Sequence, residues 1–190
     1  MNNIEEFFDS KASGWDAKEK ITQERLNQLL DLLPIKDNMK ICDLGCGTGI
    51  ITGLLKQRTN CKVIGIDLSS NMIKIAKEKY KDVKDIEFRK EDFYLNKEKF
   101  DFIVIYNAYP HFLDTKKLNE VLYNSLNKDG CFAILHSLSR QHLTNVHSSC
   151  NDISFNLSEV NIEASKYKDN FNIIQANEDD SSYLIICQKK

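Results

Sequence analysis

No stretch of this sequence approaches the ~18 consecutive apolar residues of a membrane span, so a helical anchor is not expected. The opening residues, MNNIEEFFDSK, are acidic and broken by charge, unlike a secretory signal. A basic excess is also missing: 26 Lys and Arg face 28 Asp and Glu, a net charge of −2, so a nucleic-acid backbone is not the expected partner. The lysines stand in acidic company (KEK, KEKYKDVKD, NKEKFD), the pattern of solvated faces and turns. Six cysteines form no CxxC pair, which removes the common zinc and redox spacings. Cys42, Cys61, Cys131 and Cys187 sit in or beside apolar runs, where cysteine behaves as a small hydrophobe; buried thiols in a reducing cytoplasm are expected. Neither repeats nor low-complexity linkers occur, and 190 residues with 42% hydrophobic content suit one domain.

What is present is alternation. Short apolar or β-branched runs recur at 39–44, 62–67, 86–90, 100–106, 131–136, 171–176 and 183–188. Stretches with helical period separate the first five. ITGLLKQ follows the first run, Asn71 begins a stripe of Met72, Ile75, Ala76 and Lys79, and Thr115 opens one of Leu118, Val121, Leu122 and Leu126. Strands separated by such helices predict a doubly wound parallel sheet, because parallel strands need crossover connections. Asp129-Gly130 reads as a helix-ending turn. The last two runs are joined only by NEDDSS, which predicts a hairpin and a final antiparallel strand. Residues 1–38 read as helical, with Pro34 as the stop.

The chemistry concentrates at DLGCGTG, residues 43–49. Gly45, Gly47 and Gly49 follow the first strand, where the chain must turn sharply into a helix whose first N–H groups lack partners. Their spacing is GxGxG, with Ile50 at the third position of a dinucleotide fingerprint, which argues against a nicotinamide. Asp67 ends the second strand, 20 residues after Gly47, where a carboxylate can accept both hydroxyls of a ribose.

DLGCGTG together with GID at 65–67 resembles the signature of class I S-adenosylmethionine-dependent methyltransferases, and FFDSKASGWD at 7–16 is similar to the start of their ubiquinone/menaquinone-biosynthesis-like branch. The resemblance implies a Rossmann-like α/β fold with seven strands, mostly parallel and closed by the antiparallel hairpin. Residues 39–190 would form the cofactor domain and 1–38 a helical lid. It further implies that Asp43 and the Gly45–Cys46–Gly47–Gly49 turn hold the methionine end of S-adenosylmethionine. Asp67 would take the ribose, and Leu68, Met72, Asp92 and Phe93 would surround the adenine, with Asn107 close to the cofactor. S-adenosylhomocysteine would be the product.

YNAYPHFLD, 106–114, stands at the carboxyl end of the fourth strand, where ligands sit in such sheets. It departs from the (D/N)PP(Y/F) motif of enzymes that methylate amide or exocyclic nitrogens, since Ala108 replaces the first proline. Methyl transfer needs alignment and exclusion of water, and a base only where the acceptor must lose a proton. Asn107, His111 and His136 are the candidate catalytic residues. Phe8, Trp15, Tyr109, His111, His136 and His147 are the candidate acceptor pocket. The histidines remain open between base, metal ligand and pocket wall, with no metal spacing among them. A small-molecule acceptor is expected; an RNA or protein methyltransferase, or a cofactor-binding subunit without catalysis, are the alternatives.

Overall fold

A computed structural model describes residues 3–18, 20–147 and 152–190; Cys150 lies outside them, as do the side chains of residues 146 and 147. The chain enters through three short helices, α1 (Asn3–Lys11), α2 (Trp15–Lys18) and α3 (Gln23–Leu30). There follow β1 (Ile41–Leu44), α4 (Thr52–Lys56), β2 (Val63–Asp67), α5 (Ser70–Lys79), β3 (Ile86–Lys90), β4 (Phe100–Tyr106), α6 (Thr115–Ser125) and β5 (Leu126–His136). Helices α7 (Arg140–His147) and α8 (Val160–Ser165) precede the hairpin of β6 (Phe171–Asp179) and β7 (Ser182–Lys189). Among the described residues, seven strands form one sheet in the order β3-β2-β1-β4-β5-β7-β6. The first five pair in parallel, and β7 runs antiparallel to both β5 and β6.

Alternation along β4 explains why the strands read as unbroken apolar runs. Ile103 and Ile105 join one buried cluster with Phe132 and Tyr167, while Phe102 and Val104 join another with Leu29 and Leu30. Both faces of the sheet are therefore covered. Helix starts follow from side-chain caps: Ser69 accepts from the Met72 N–H before α5, and Asp114 from the Lys117 N–H before α6. No described helix is long and apolar enough to cross a membrane.

The structure corrects several boundaries. The helix after the glycines starts only at Thr52, because the turn itself occupies the preceding residues. Helix α3 ends at Leu30, ahead of Pro34, and the N-terminal helical stretch breaks at Gly14, which has φ 79°. Asp129-Gly130 does not end a helix. α6 stops at Ser125, and Asp129 (φ 61°) bends β5, whose register against β4 shifts there. The final hairpin turns on Asp180 and Ser181 alone, since the Asp179 carboxylate accepts the Ser181 N–H at 2.7 Å and closes the bend. In α5 the buried face is Met72, Ile73 and Ala76, with Ile75 at its margin.

Candidate active site

Sheet order reverses between β1 and β4, which pair in parallel while their following helices depart to opposite sides. A crevice must open at the carboxyl ends of those strands. A cavity of about 310 Å³ lies there. Asp43, Gly45, Cys46, Gly47, Asp67, Leu68, Met72, Asp92, Phe93 and Asn107, ten of the positions proposed for the cofactor, all line it.

Asp67 governs the cofactor half. One carboxylate oxygen accepts the Gly47 N–H at 2.8 Å and the other accepts the Ser69 N–H at 2.8 Å. Burial raises its pKa, and those two amides oppose the shift. Each oxygen retains a second lone pair for a ligand hydroxyl. A Cβ at Gly47 would project toward the Met72 sulfur at 4.0 Å and otherwise into open space, so the main chain lies open to a ligand at this turn. Asp43 is 1% exposed and accepts from the Thr52 hydroxyl at 2.6 Å; burial lifts its pKa to about 7. Asp92 receives the Tyr94 N–H at 3.0 Å, which orients the short turn carrying Phe93. Cys46 is buried and its thiol is pushed well above the usual range by desolvation, so it is an inert wall.

Gly49 does not line the cavity. It turns the other way, where a Cβ would stand 2.9 Å from both Phe88 and Tyr80, and the Tyr80 hydroxyl donates to its carbonyl at 2.8 Å. Its glycine character serves packing against α5 and β3.

The N-terminal segment covers the cavity with Ile4, Phe8 and Trp15; the Phe8 and Trp15 rings meet edge-on at 5.8 Å. Two carboxylates tie it to the loops beneath. Asp9 accepts from the Ser69 hydroxyl at 2.5 Å and the Asn71 N–H at 2.9 Å, and those bonds hold its pKa low. Asp16 accepts from the Thr48 hydroxyl at 2.5 Å and pairs with Lys79 at 2.5 Å. A further pair, Glu5 with Lys90, spans 3.1 Å. Asp9 and Asp16 fall within the FFDSKASGWD stretch, and Glu5 just before it; the sequence assigns none of them a partner.

On the opposite wall the structure separates the acceptor candidates. His111 lines the cavity, its ring edge-on to Phe8 at 4.8 Å. Its Nδ1 lies 2.9 Å from the Ile153 carbonyl, which can only accept, so Nδ1 carries the proton and Nε2 the lone pair in the neutral ring. Tyr109 is not brought into the cavity. It is fully buried, donates to Glu163 at 2.7 Å and accepts from the Tyr167 hydroxyl at 3.0 Å. His136 is not brought there either. It continues the inner row of Phe132 and Ile134 on β5 and packs against the Tyr183 ring, with no exposed surface. His147 closes α7, but its side chain lies outside the described residues. Among the described residues no three His, Cys, Asp or Glu side chains are grouped to hold a metal. Tyr106, Phe112 and Asp114, from the 106–114 segment at the end of β4, also line the cavity, as does Glu91, which the sequence did not single out.

A family model described as a methyltransferase domain matches residues 35–180. A malonyl-[acyl-carrier protein] O-methyltransferase of Acetivibrio thermocellus is 32% identical over 132 residues, 66% of this chain and 46% of that protein. A ubiquinone/menaquinone biosynthesis C-methyltransferase of Campylobacter jejuni is 26% identical over 155 residues, 74% of this chain and 66% of that protein. The chain thus spans about half to two thirds of the length of these relatives. Among solved structures, the fold matches magnesium protoporphyrin IX methyltransferase of Synechocystis with bound S-adenosylhomocysteine at TM-score 0.74 and 16% identity, covering 98% of each chain. It also matches a chain from the complex of the Haloferax volcanii Trm112 activator with a putative methyltransferase at TM-score 0.79 and 15% identity, covering 100% of this chain and 98% of that one.

The raised pKa of Asp43 has a defined consequence for the ligand-free protein. A carboxyl whose folded pKa exceeds its unfolded value contributes stability that is complete below the unfolded pKa and lost as pH rises through about 7. Thermal melts should therefore drop by several degrees between about pH 5.5 and about pH 8. Asp43→Asn, which can keep the Thr52 bond without a charge, should flatten that drop; an unchanged slope would remove Asp43 as its source.

Proposed function

Because the chain belongs to the methyltransferase-domain family and has the class I S-adenosylmethionine-dependent architecture, we propose that it transfers the sulfonium methyl of S-adenosylmethionine to a small-molecule acceptor. The observation that carries this reading is the convergence of Asp43, Gly47 and Asp67 on a cavity whose far wall holds His111. Asp67 has the free lone pairs to take two ribose hydroxyls. Leu68, Met72 and Phe93 offer apolar surface for the adenine, with Asp92 beside them for its amino group. Asp43, ionised by a bound cation, faces the positive end. When bound, S-adenosylmethionine supplies a methyl carbon made electrophilic by the sulfonium. The protein contributes alignment, a dry site under Phe8 and Trp15, and an imidazole whose Nε2 can take a proton from the acceptor.

The charged lining narrows the acceptor. Asp43, Asp67, Glu91, Asp92 and Asp114 line the cavity, and no lysine or arginine does among the described residues. A carboxylate placed about 6 Å from one ionised acid would pay roughly 3 kcal/mol at an effective dielectric of about 20. The reading is therefore a neutral or cationic nucleophile bearing a dissociable proton, flat or apolar enough for the aromatic wall. A carboxylate such as the malonyl group in the name of the Acetivibrio relative fits this lining poorly.

Three outcomes test these statements. In calorimetry the wild type should bind S-adenosylmethionine and S-adenosylhomocysteine, and Asp67→Ala should weaken both at least tenfold, given about 1.5–3 kcal/mol per charge-assisted bond; no binding by the wild type would end the proposal. In a turnover panel, phenols, amines and other uncharged or cationic nucleophiles should be methylated ahead of carboxylic acids. Binding without turnover of any acceptor would instead mark a cofactor-holding subunit. The lid reading predicts that Asp9→Asn with Asp16→Asn speeds cofactor dissociation about tenfold, the effect of about 1.4 kcal/mol. An unaltered off-rate would assign those acids to packing alone.

A further inference from the structure

Asn107 occupies an unusual conformation for a residue with a side chain, φ 51°, immediately after β4. Asparagine tolerates this left-handed region better than most residues, yet something must hold it there. Its carboxamide makes two hydrogen bonds with the end of the neighbouring strand. Nδ2 donates to the Ser137 hydroxyl at 2.9 Å, and Oδ1 accepts the Ser137 N–H at 3.0 Å. The Asn107 N–H itself donates to the Leu135 carbonyl at 2.9 Å, the last rung between β4 and β5. The chain then crosses the glycine turn so closely that a Cβ at Gly45 would meet the Ala108 methyl at 2.6 Å. One short turn later, Tyr109–His111, it delivers His111 to the cavity and to the Ile153 carbonyl.

We propose that Asn107 is a positioning residue: its two-point clamp on Ser137 sets the strand-end turn that carries His111 into the cavity. This deepens the methyltransferase reading and rests on it for the role of His111.

The test reads the His111 ring directly. Long-range 1H–15N spectra of the imidazoles, with His111 assigned by its loss in His111→Gln, are compared for wild type, Asn107→Ala, Asn107→Asp and Ser137→Ala. S-adenosylhomocysteine affinity is measured alongside. Asn107→Ala should move the His111 ring signals, while affinity changes less than threefold. Asn107→Asp, which keeps two acceptors for the Ser137 N–H and hydroxyl and tolerates the same turn, should return the ring signals toward the wild-type positions relative to Asn107→Ala. Ser137→Ala, losing one of the two bonds, should fall between. Should Asn107→Ala fail to fold, Ser137→Ala and Asn107→Asp still bracket the clamp. Unmoved His111 signals in Asn107→Ala and Ser137→Ala would overturn the proposal, as would an affinity loss matching that of Asp67→Ala, which would make Asn107 a direct cofactor contact. If the wild type bound no S-adenosylhomocysteine, the methyltransferase reading would fall while the ring spectra still decided the clamp.

Discussion

The Asp67 carboxylate holds the turn after β1 and the start of α5 together, with one oxygen on the Gly47 amide and the other on the Ser69 amide. Neither loop can drift without leaving a half-buried carboxylate short of donors, a cost of about 1–3 kcal/mol for a fully buried group. Much else is referred to this tie. Ser69 also caps α5 and donates to Asp9, so the covering segment is attached to the same point. Thr48, one residue beyond Gly47, receives the second attachment through Asp16. The turn that faces the ligand, the helix behind it and the cover above it are thereby coupled.

The other half of the cavity depends on β4 and β5. The reversal of sheet order beside β1 opens the crevice, and Asn107 and Ser137 close its far edge by joining the ends of those two strands. A buried cluster of Tyr109, Tyr167 and Glu163 braces the short turn between them from below. The site is thus rigid on its strand side and covered on its helical side by contacts that are mostly polar. Exchange of a ligand can break such contacts without disturbing the apolar core.

The legible parts of this protein were local ones. IEFRK and FDFIVIY coincide with β3 and β4: in β4 a run of β-branched and aromatic residues is covered on both faces, while the edge strand β3 buries Phe88 between partly exposed neighbours. Gly47 and Asp67 were readable because their spacing follows from one strand, one turn and one helix. The sequence hides why Tyr109 and His136 turn into the core and not into the cavity. Which way a side chain faces at the end of a strand depends on the row it continues, and for His136 that row is Phe132 and Ile134, inside the core. Gly49 shows the opposite difficulty: the residue matches the motif, but its missing side chain makes room for Tyr80 and Phe88, more than 30 positions away. Asp9 and Asp16 lie within the FFDSKASGWD stretch, but their partners at Ser69, Asn71, Thr48 and Lys79 are not legible in it, because nothing in the intervening chain announces the meeting.

Trp15 is the chain's only tryptophan, and it sits on the cavity wall against Phe8. Indole emission from this protein therefore originates at a single place, the underside of the segment that covers the cavity. Any event that wets, quenches or displaces that ring is reported optically without a label, and events elsewhere in the fold are silent in the same channel. The molecule comes with its own probe for the one region where covering and uncovering would matter.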